Sequence, residues 1–198
     1  MKSKRILVIQ GHPDPQGGHF GHALAQAYAD GAAAAGHTVR QVDIARLDFP
    51  LLRSAADWEK GSTPAALQPV QDDIRWAQHL LLFFPLWMGD MPAYLKGFLE
   101  QVARPGFAFQ PGDENNGGFG KKGLGGRSAR VVVTMGMPAL VYRYYFRAHS
   151  VRALERNVLG FVGIAPVHET LIGMVDRIDA DARAGWLAKL QALGRKGD

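Results

Sequence analysis

Residues 79–98 read HLLLFFPLWMGDMPAYLKGF and carry the clearest structural pattern in the chain. The first six residues of this stretch, 79–84, are apolar without alternation, a pattern typical of a central parallel strand that is covered on both faces. Pro85 ends the run, and Pro92 stands where a helix would begin its first turn. A helical stripe of apolar residues follows at Leu95, Phe98, Leu99 and Val102. The stretch therefore predicts a buried strand, a loop with large side chains and a helix.

Strand and helix patterns alternate along the rest of the chain. Strands are predicted at residues 4–10, 37–44, 79–84, 130–134 and 167–172. Helices are predicted over residues 20–36, 70–78, 92–102, 151–159 and 182–193. This order predicts an α/β fold, a doubly wound five-stranded parallel sheet with helices on both faces. Right-handed crossovers leave the flavodoxin-like strand order 2-1-3-4-5 as the simplest, and we expect residues 1–198 to form a single domain.

The composition bounds the class of protein. The chain has 198 residues, of which 47% are hydrophobic and 21% charged, enough to bury a core without covalent cross-links. It contains no cysteine, which excludes disulfides, thiolate catalysis and zinc–sulfur sites. Neither a signal peptide nor a membrane span is recognisable. We therefore expect a cytoplasmic protein without membrane insertion.

The net charge of +5 favours an anionic partner, yet the basic residues form no long block. The densest basic stretch holds Lys121, Lys122, Arg127 and Arg130. No nucleic-acid-binding module accompanies it, so we expect a phosphate-bearing cofactor rather than nucleic acid. Residues 109–127 are rich in glycine and asparagine without periodicity, which predicts a mobile surface loop.

Three unusual loops follow strands that the predicted order makes neighbours. They are GHPDPQGGHFG at 11–21, PLWMGDMP at 85–92 and TMGMPALVY at 134–142. Ligands of open parallel sheets bind at the carboxyl ends of the strands, so the three loops should line one crevice. The first loop runs into a helix amino terminus, where free N–H groups favour phosphate. The second offers an apolar wall for a flat ring, and in the third the Tyr142 hydroxyl could donate a proton.

Each loop also has a simpler interpretation. Trp87 could cover the core of a neighbouring helix or a second subunit, and Tyr142 could be an ordinary half-buried tyrosine. The set of His12, His19 and His22, with Asp14, has spacing that metal sites use. No second cluster completes it, however, and VHETL at 167–171 lacks the second histidine of HExxH, so we expect no metal. A serine hydrolase is not indicated, because no GxSxG occurs.

Taken together, the loops resemble those of the flavodoxin-like NAD(P)H:quinone oxidoreductase family, the DT-diaphorase type and its smaller bacterial relatives. The resemblance spans about residues 4 to 175. It is carried by ILVIQGHPDP with HFGHAL, by FPLWMGDMPAYLKGFLEQV with PGFAF, and by VVTMGMPALVY. It implies a bound flavin at the strand ends, FAD with FMN as the alternative, and NAD(P)H as electron donor.

The resemblance also implies roles for particular positions. The family's contacts to the ribityl-phosphate part fall on His12, His19, Phe20 and Gly21. The lining of the isoalloxazine ring falls on Pro85, Leu86, Trp87, Met88 and Gly89. The pyrimidine side of the ring falls on Thr134, Met135, Gly136 and Met137. Relatives often have small hydroxyl and amide residues where this chain has His19 and Gly21, and an aromatic residue where it has Met88.

Tyr142 matches the family's active-site tyrosine, which would also contact the flavin. His149 stands one residue beyond the histidine that the family pairs with this tyrosine. The implied reaction has two halves, in which NAD(P)H reduces the flavin and a quinone or similar small aromatic acceptor reoxidises it. The resemblance implies a homodimer with the active site at the interface, where Trp87 and the YRYYFR stretch at 142–147 would contribute. The alternatives are an ancillary subunit of a potassium-efflux system and a flavodoxin-like electron carrier.

Overall fold

The computed structural model describes residues 2–110 and 120–198. The strands are β1 Arg5–Gln10, β2 Thr38–Asp43, β3 His79–Pro85, β4 Phe109–Gln110, β5 Lys121–Lys122, β6 Ser128–Thr134 and β7 Val167–Ile172. The helices are α1 Phe20–Ala34, α2 Ala55–Lys60, α3 Gln68–Trp76, α4 Ala93–Val102, α5 His149–Ala153, α6 Gly160–Val162 and α7 Ala180–Lys196. Single 3-10 turns lie at Ile44–Arg46 and Ala65–Leu67, and π-helical turns cover Val141–Tyr145 and Leu154–Leu159.

Five parallel strands form one sheet in the order β2-β1-β3-β6-β7. Since β6 and β7 are its fourth and fifth strands along the chain, the predicted order 2-1-3-4-5 is confirmed. The short strands β4 and β5 pair antiparallel outside this sheet. The fold is the predicted flavodoxin-like α/β arrangement.

The central strand β3 is buried on both faces, as its unbroken apolar run predicts. Residues 79–84 are all buried. On one face, Leu7 and Ile9 of β1 pack into a cluster with residues of α3, α4 and α5. On the other face, Ile6 and Val8 pack with α1 and α7. Helices on both faces therefore leave only the ends of the sheet open to a ligand.

Helices α1 and α7 approach each other through glycine. A Cβ at Gly31 of α1 would overlap the carbonyl of Gln191, and a Cβ at Gly194 of α7 would overlap the carbonyl of Tyr28. The backbones therefore touch directly, which holds α1, and with it the loop that precedes α1, firmly on the sheet.

The prediction of a mobile loop over 109–127 is wrong at both ends of that segment. Residues 109–110 pair with residues 121–122, and the buried Leu124 donates its N–H to the carbonyl of Val162 at 2.9 Å. Residues 111–119 lie outside the described part of the chain. The neighbouring Arg130 is also buried, and its guanidinium donates to Thr170 Oγ1 at 3.0 Å.

The helix predicted over 151–159 is longer than expected, because it begins at His149 and continues through a π turn to Val162. In the described ranges, 2–110 and 120–198, no helix is both long and apolar enough to cross a bilayer.

Candidate functional site

Backbone hydrogen bonds bring the three predicted loops together at the carboxyl ends of the strands. The N–H of Gly11, in the loop after β1, donates to the carbonyl of Phe83 in β3 at 2.7 Å. The N–H of Leu86, in the loop after β3, donates to the carbonyl of Thr134 at the end of β6, at 2.8 Å. The predicted convergence of the loops on one edge is therefore confirmed.

The loop after β1 is fixed by its own side chains. The N–H of His12 donates to Gln10 Oε1, and the N–H of Asp14 donates to His12 Nδ1, both at 3.1 Å. The N–H of Gln16 in turn donates to Asp14 Oδ1 at 2.9 Å. Because Nδ1 of His12 is an acceptor, the neutral ring carries its hydrogen on Nε2, which leaves that N–H for a ligand.

Helix α1 begins without a side-chain cap. His19 occupies the capping position, but its ring lies 2.7 Å, Nε2 to Oδ2, from Asp14 and makes no hydrogen bond to the helix. The same ring stacks on His12 with centroids 3.9 Å apart. The first N–H groups of the helix, those of Phe20 and Gly21, therefore face outward, where the helix dipole favours an anion.

The charges of this loop are held in an unusual state. Burial, followed by the neighbouring rings of His19 and His22, lowers the pKa of His12. The N–H of Gln16, followed by the His19 ring, lowers the pKa of Asp14. The loop at neutral pH therefore combines an ionised carboxylate with at least one neutral imidazole.

The three histidine rings are arranged for stacking rather than for a shared metal ion. The rings of His12 and His19 are nearly parallel, with 17° between their planes. The ring of His22 is tilted relative to that of His12, and their centroids are 5.6 Å apart. Within the ranges that the structure describes, no group of three or more His, Cys, Asp or Glu side chains has the arrangement of a metal site.

The loop after β3 presents its side chains through a tight turn. The N–H of Trp87 donates to the carbonyl of Asp90 at 2.8 Å, and the N–H of Asp90 donates to the carbonyl of Trp87 at 3.0 Å. Between them, Met88 and Gly89 have positive φ angles of 49° and 82°. Left-handed backbone is costly for methionine, and such strain is concentrated at functional sites.

Trp87 connects this turn to the first loop. Its ring meets that of His12 edge-on, with centroids 5.6 Å apart, and remains 48% exposed. Met88 is fully exposed, whereas Pro85 and Leu86 are half-buried. The turn therefore forms an apolar wall beside the start of α1, as the sequence predicts.

The loop after β6 presents main-chain groups rather than side chains to the space between the loops. Met135 is buried in the core, so only its main chain faces the site. Gly136 is exposed, and a Cβ there would lie 3.0 Å from Asp176 Oδ2. Thr134 and Met137 are half-buried, and the carbonyl of Met137 accepts the N–H of Met174 at 3.1 Å.

The two predicted catalytic side chains lie in different surroundings. Tyr142 is only 2% exposed, and its hydroxyl lies 2.6 Å from Ser150 Oγ and accepts the N–H of Val151 at 3.4 Å. His149 is exposed at the first turn of α5. The intervening Tyr144 and Tyr145 are 74% and 79% exposed. The Tyr142 hydroxyl therefore packs against Ser150 and Val151 of α5, beyond the π turn that holds Tyr142 itself.

A family model described as a flavodoxin-like fold matches residues 4–193. The chain belongs to this flavodoxin-like family. The family resemblance read from the three loops is confirmed.

Relatives within the family carry oxidoreductase names. An NAD(P)H oxidoreductase of Haemophilus influenzae is 28% identical over 199 residues, covering 94% of this chain and 96% of the relative. A ribosyldihydronicotinamide dehydrogenase-like protein of Penicillium crustosum is 28% identical over 155 residues; the match covers 67% of this chain and only 57% of that relative. The structure of an NAD(P)H:quinone oxidoreductase from Methanothermobacter marburgensis superimposes with a TM-score of 0.79 at 25% identity, covering 100% of both chains.

Two polar residues beside the first loop were not among the predicted cofactor contacts. Gln10 is buried beside the first loop, and its Nε2 has no hydrogen-bond partner among the described residues. Both ring nitrogens of His22 are likewise buried and unpartnered there. The signal in the sequence was a glutamine that ends the otherwise apolar strand RILVIQ. Buried polar groups without partners are rare, and a polar ligand between them would satisfy both side chains.

Both residues line a cavity of about 560 Å³ at the end of β2, and its polar wall includes Gln41, Asp43 and Arg46. A volume of this size is typical of small-molecule sites. The uncapped start of α1, the orphaned Gln10 and His22 and the apolar wall at Trp87 fit the phosphate and ring of a flavin.

Proposed function

We propose that this protein is a flavin-dependent NAD(P)H:quinone oxidoreductase. The observation that carries the proposal is the meeting of three features at one sheet edge: the uncapped start of α1, the exposed turn at Trp87 and the exposed backbone at Gly136. Family membership and the oxidoreductase names of the relatives support it. In this interpretation the crevice between the three loops is the active site.

The chain's own groups would hold the cofactor at three places. The N–H groups of Phe20 and Gly21 and the Nε2–H of His12 would bind its phosphate, with His19 beside them. The side chains of Leu86, Trp87 and Met88 would lie along the isoalloxazine ring. The N–H groups of Gly89 and Gly136, which donate no hydrogen bond within the described residues, would meet the polar edge of the ring.

We propose FAD rather than FMN as the cofactor. The cavity of about 560 Å³ extends from Gln10 and His22 towards the end of β2 and gives room beyond the first phosphate. Its Asp43 carboxylate and Arg46 guanidinium, 3.2 Å apart, could bind a ribose or a nucleobase. FMN would leave this cavity to water.

A bound flavin supplies hydride transfer from NAD(P)H to a quinone or similar small aromatic acceptor, and the protein supplies orientation and electrostatics. Both substrates would use the face of the crevice beside Trp87, which requires that the nicotinamide leave before the acceptor enters. The net charge of +5 favours approach of the phosphate-bearing nucleotide.

Tyr142 and His149 are the proposed catalytic side chains. The hydroxyl of Tyr142, fixed by Ser150 and Val151, would have to exchange its hydrogen bond with Ser150 to stabilise charge that develops on the ring. Hydrogen bonds of this kind often form only once the ligands are bound. His149, exposed at the start of α5, is free to turn towards the crevice.

The functional unit is proposed to be a homodimer. Large apolar side chains are exposed on the loops after two neighbouring strands, β3 and β6: Trp87, Met88, Leu140, Tyr144, Tyr145 and Phe146. A second copy that covers them would exclude water from the crevice and complete the active site. Use of NAD(P)H and the lack of cysteines favour the cytoplasm as the place of action.

The test is the absorption spectrum of the purified protein, as isolated and after incubation with FAD or FMN and removal of the excess. The proposal predicts retained flavin with FAD bound more tightly than FMN, and steady oxidation of NAD(P)H once a quinone is added. Failure to retain either flavin would contradict it. A flavoprotein that never oxidises NAD(P)H would instead favour the electron carrier.

A further inference from the structure

The first loop contains a second set of polar groups beyond those matched to the family. Gln10 is 6% exposed, and its Oε1 accepts the N–H of His12. Its Nε2 therefore points the other way, towards α1, where a Cβ at Gly21 would lie 4.0 Å from it. No described residue accepts from this nitrogen. The amide is thus aimed at the same place as the free N–H groups of the helix.

His22, in the first turn of α1, faces the same space. Gly17 folds over its ring, since a Cβ there would lie 3.9 Å from His22 Nε2. Both nitrogens of the ring are buried, and neither makes a hydrogen bond of normal geometry in the described part of the chain. The His19 backbone lies near enough to favour the charged ring, but a neutral imidazole has one donor and one acceptor, so at least one of them is left for a ligand.

The charged neighbours of His22 come from each element around it. His12, Asp14 and His19 lie on the preceding loop, Asp43 and Arg46 at the end of β2, and Asp73 on α3. The carboxylates are already engaged: Asp14 with His19, Asp43 with Arg46, and Asp73 with Arg40 at 2.6 Å. The imidazoles are therefore the groups that can take up a proton when a negatively charged ligand binds.

We propose that Gln10 and His22 bind the pyrophosphate of FAD together with the start of α1, and that binding draws a proton onto the histidine cluster. The inference rests on the proposed function, since it specifies how the same site holds its cofactor. It predicts that the protein binds phosphorylated flavins more tightly as the pH falls, whereas a flavin without phosphate shows no such dependence.

The direction of the predicted pH dependence follows from the surroundings of the histidine rings. Burial lowers the pKa of His22 in the free protein, and burial together with the other two rings lowers that of His12. A pyrophosphate beside them favours the charged imidazole and raises the pKa on binding. The affinity must then rise as the pH falls through the bound-state pKa, and level off below the free-state pKa. Because Nδ1 of His12 accepts the Asp14 N–H, His22 is the ring expected to take the proton.

The experiment is calorimetric titration of flavin-free protein with FAD and with riboflavin between about pH 6 and about pH 8, on either side of the ordinary histidine pKa. Each pH is run in two buffers of different ionisation enthalpy, so that proton uptake is counted directly. FAD is the better probe, because the monophosphate of FMN itself takes up a proton near pH 6. His22→Gln removes the titrating ring and keeps a polar side chain. His168→Gln makes the same change on β7, at the opposite end of the sheet.

For the wild type and His168→Gln, the Kd for FAD should rise about threefold to tenfold from pH 6 to pH 8, with roughly half a proton or more taken up. The riboflavin Kd should stay level. In His22→Gln, FAD should bind more weakly at pH 6 and lose most of its pH dependence. If that variant does not fold, the proton count of the wild type decides alone.

Two outcomes would overturn the inference. FAD could bind without proton uptake, or riboflavin could show the same pH dependence as FAD. Either result would leave the flavin-binding function standing and remove only the pyrophosphate role of His22. If neither FAD nor riboflavin binds at any pH, the proposed function itself fails.

Discussion

The ring of Trp87 meets the ring of His12 edge-on, with centroids 5.6 Å apart. This contact joins the turn after β3 to the loop after β1, so that the proposed wall for a flavin ring and the proposed phosphate site form one surface. Trp87 and Met88 of the wall are exposed in the free chain and available to a ligand, whereas Leu86 also packs against the core.

Trp87→Ala should weaken flavin binding about tenfold, because loss of one stacked aromatic contact costs about 1–1.5 kcal/mol. Thermal stability should change little, since the ring is 48% exposed. Phe161→Ala is the matched control, because that ring is 52% exposed outside the site and should leave affinity unchanged. Flavin fluorescence titration measures the flavin affinity of both variants. Equal affinities for the two variants would remove Trp87 from the site.

Tyr142→Phe should slow reduction of the bound flavin by NAD(P)H about tenfold to a hundredfold while the flavin remains bound. Ser150→Ala frees the Tyr142 hydroxyl from its 2.6 Å neighbour and should not slow reduction to the same extent. Anaerobic rapid mixing separates these effects. Equal rates in Tyr142→Phe and the wild type would assign the hydroxyl to structure alone.

Tyr145→Glu should convert the proposed dimer to a monomer, because it places a charge among the apolar residues that the second copy would cover. Leu51→Glu is the control, since Leu51 is also exposed but lies over Gly97 of α4, outside the three loops. Sedimentation velocity reports the mass of each. A wild-type chain that sediments as a monomer, with or without flavin, would contradict the dimer.

Gly31→Ala should lower the free energy of unfolding by about 2–3 kcal/mol, because the new methyl group would overlap the Gln191 carbonyl of α7. Gly185→Ala, in the same helix pair but with open space around it, should raise stability by up to about 1 kcal/mol. Urea denaturation compares the two variants. Similar effects at both positions would show that α1 and α7 do not touch at Gly31 and Gln191.

The sequence predicted the sheet order and the three loops because their signals are local. The unbroken run at 79–84 and the glycines and prolines after β1 and β3 mark strands and loops without reference to the rest of the chain. The pairing of 109–110 with 121–122 was missed, because two-residue strands carry no periodic pattern.

The two polar residues of the proposed site that the sequence did not reveal depend on three-dimensional neighbours. Gln10 and His22 are unusual only because nothing nearby satisfies them, which depends on where the first loop folds. The surroundings of Tyr142 depend on Ser150, eight residues away across a π turn that no spacing rule anticipates. Residue type and spacing therefore predicted that the three loops meet at one end of the sheet, but not the hydrogen bonds within them.

An anaerobic two-step titration of the flavin-loaded protein tests whether this chain passes a hydride from NAD(P)H to a quinone. One equivalent of NADPH or NADH is added first, followed by one equivalent of a small naphthoquinone, while the flavin absorbance is recorded. If the chain is a flavin-dependent quinone oxidoreductase, the oxidised-flavin bands should bleach and then return in full, with one equivalent of hydroquinone formed. Bands that persist with both nucleotides, or that stay bleached after the quinone, would contradict this function.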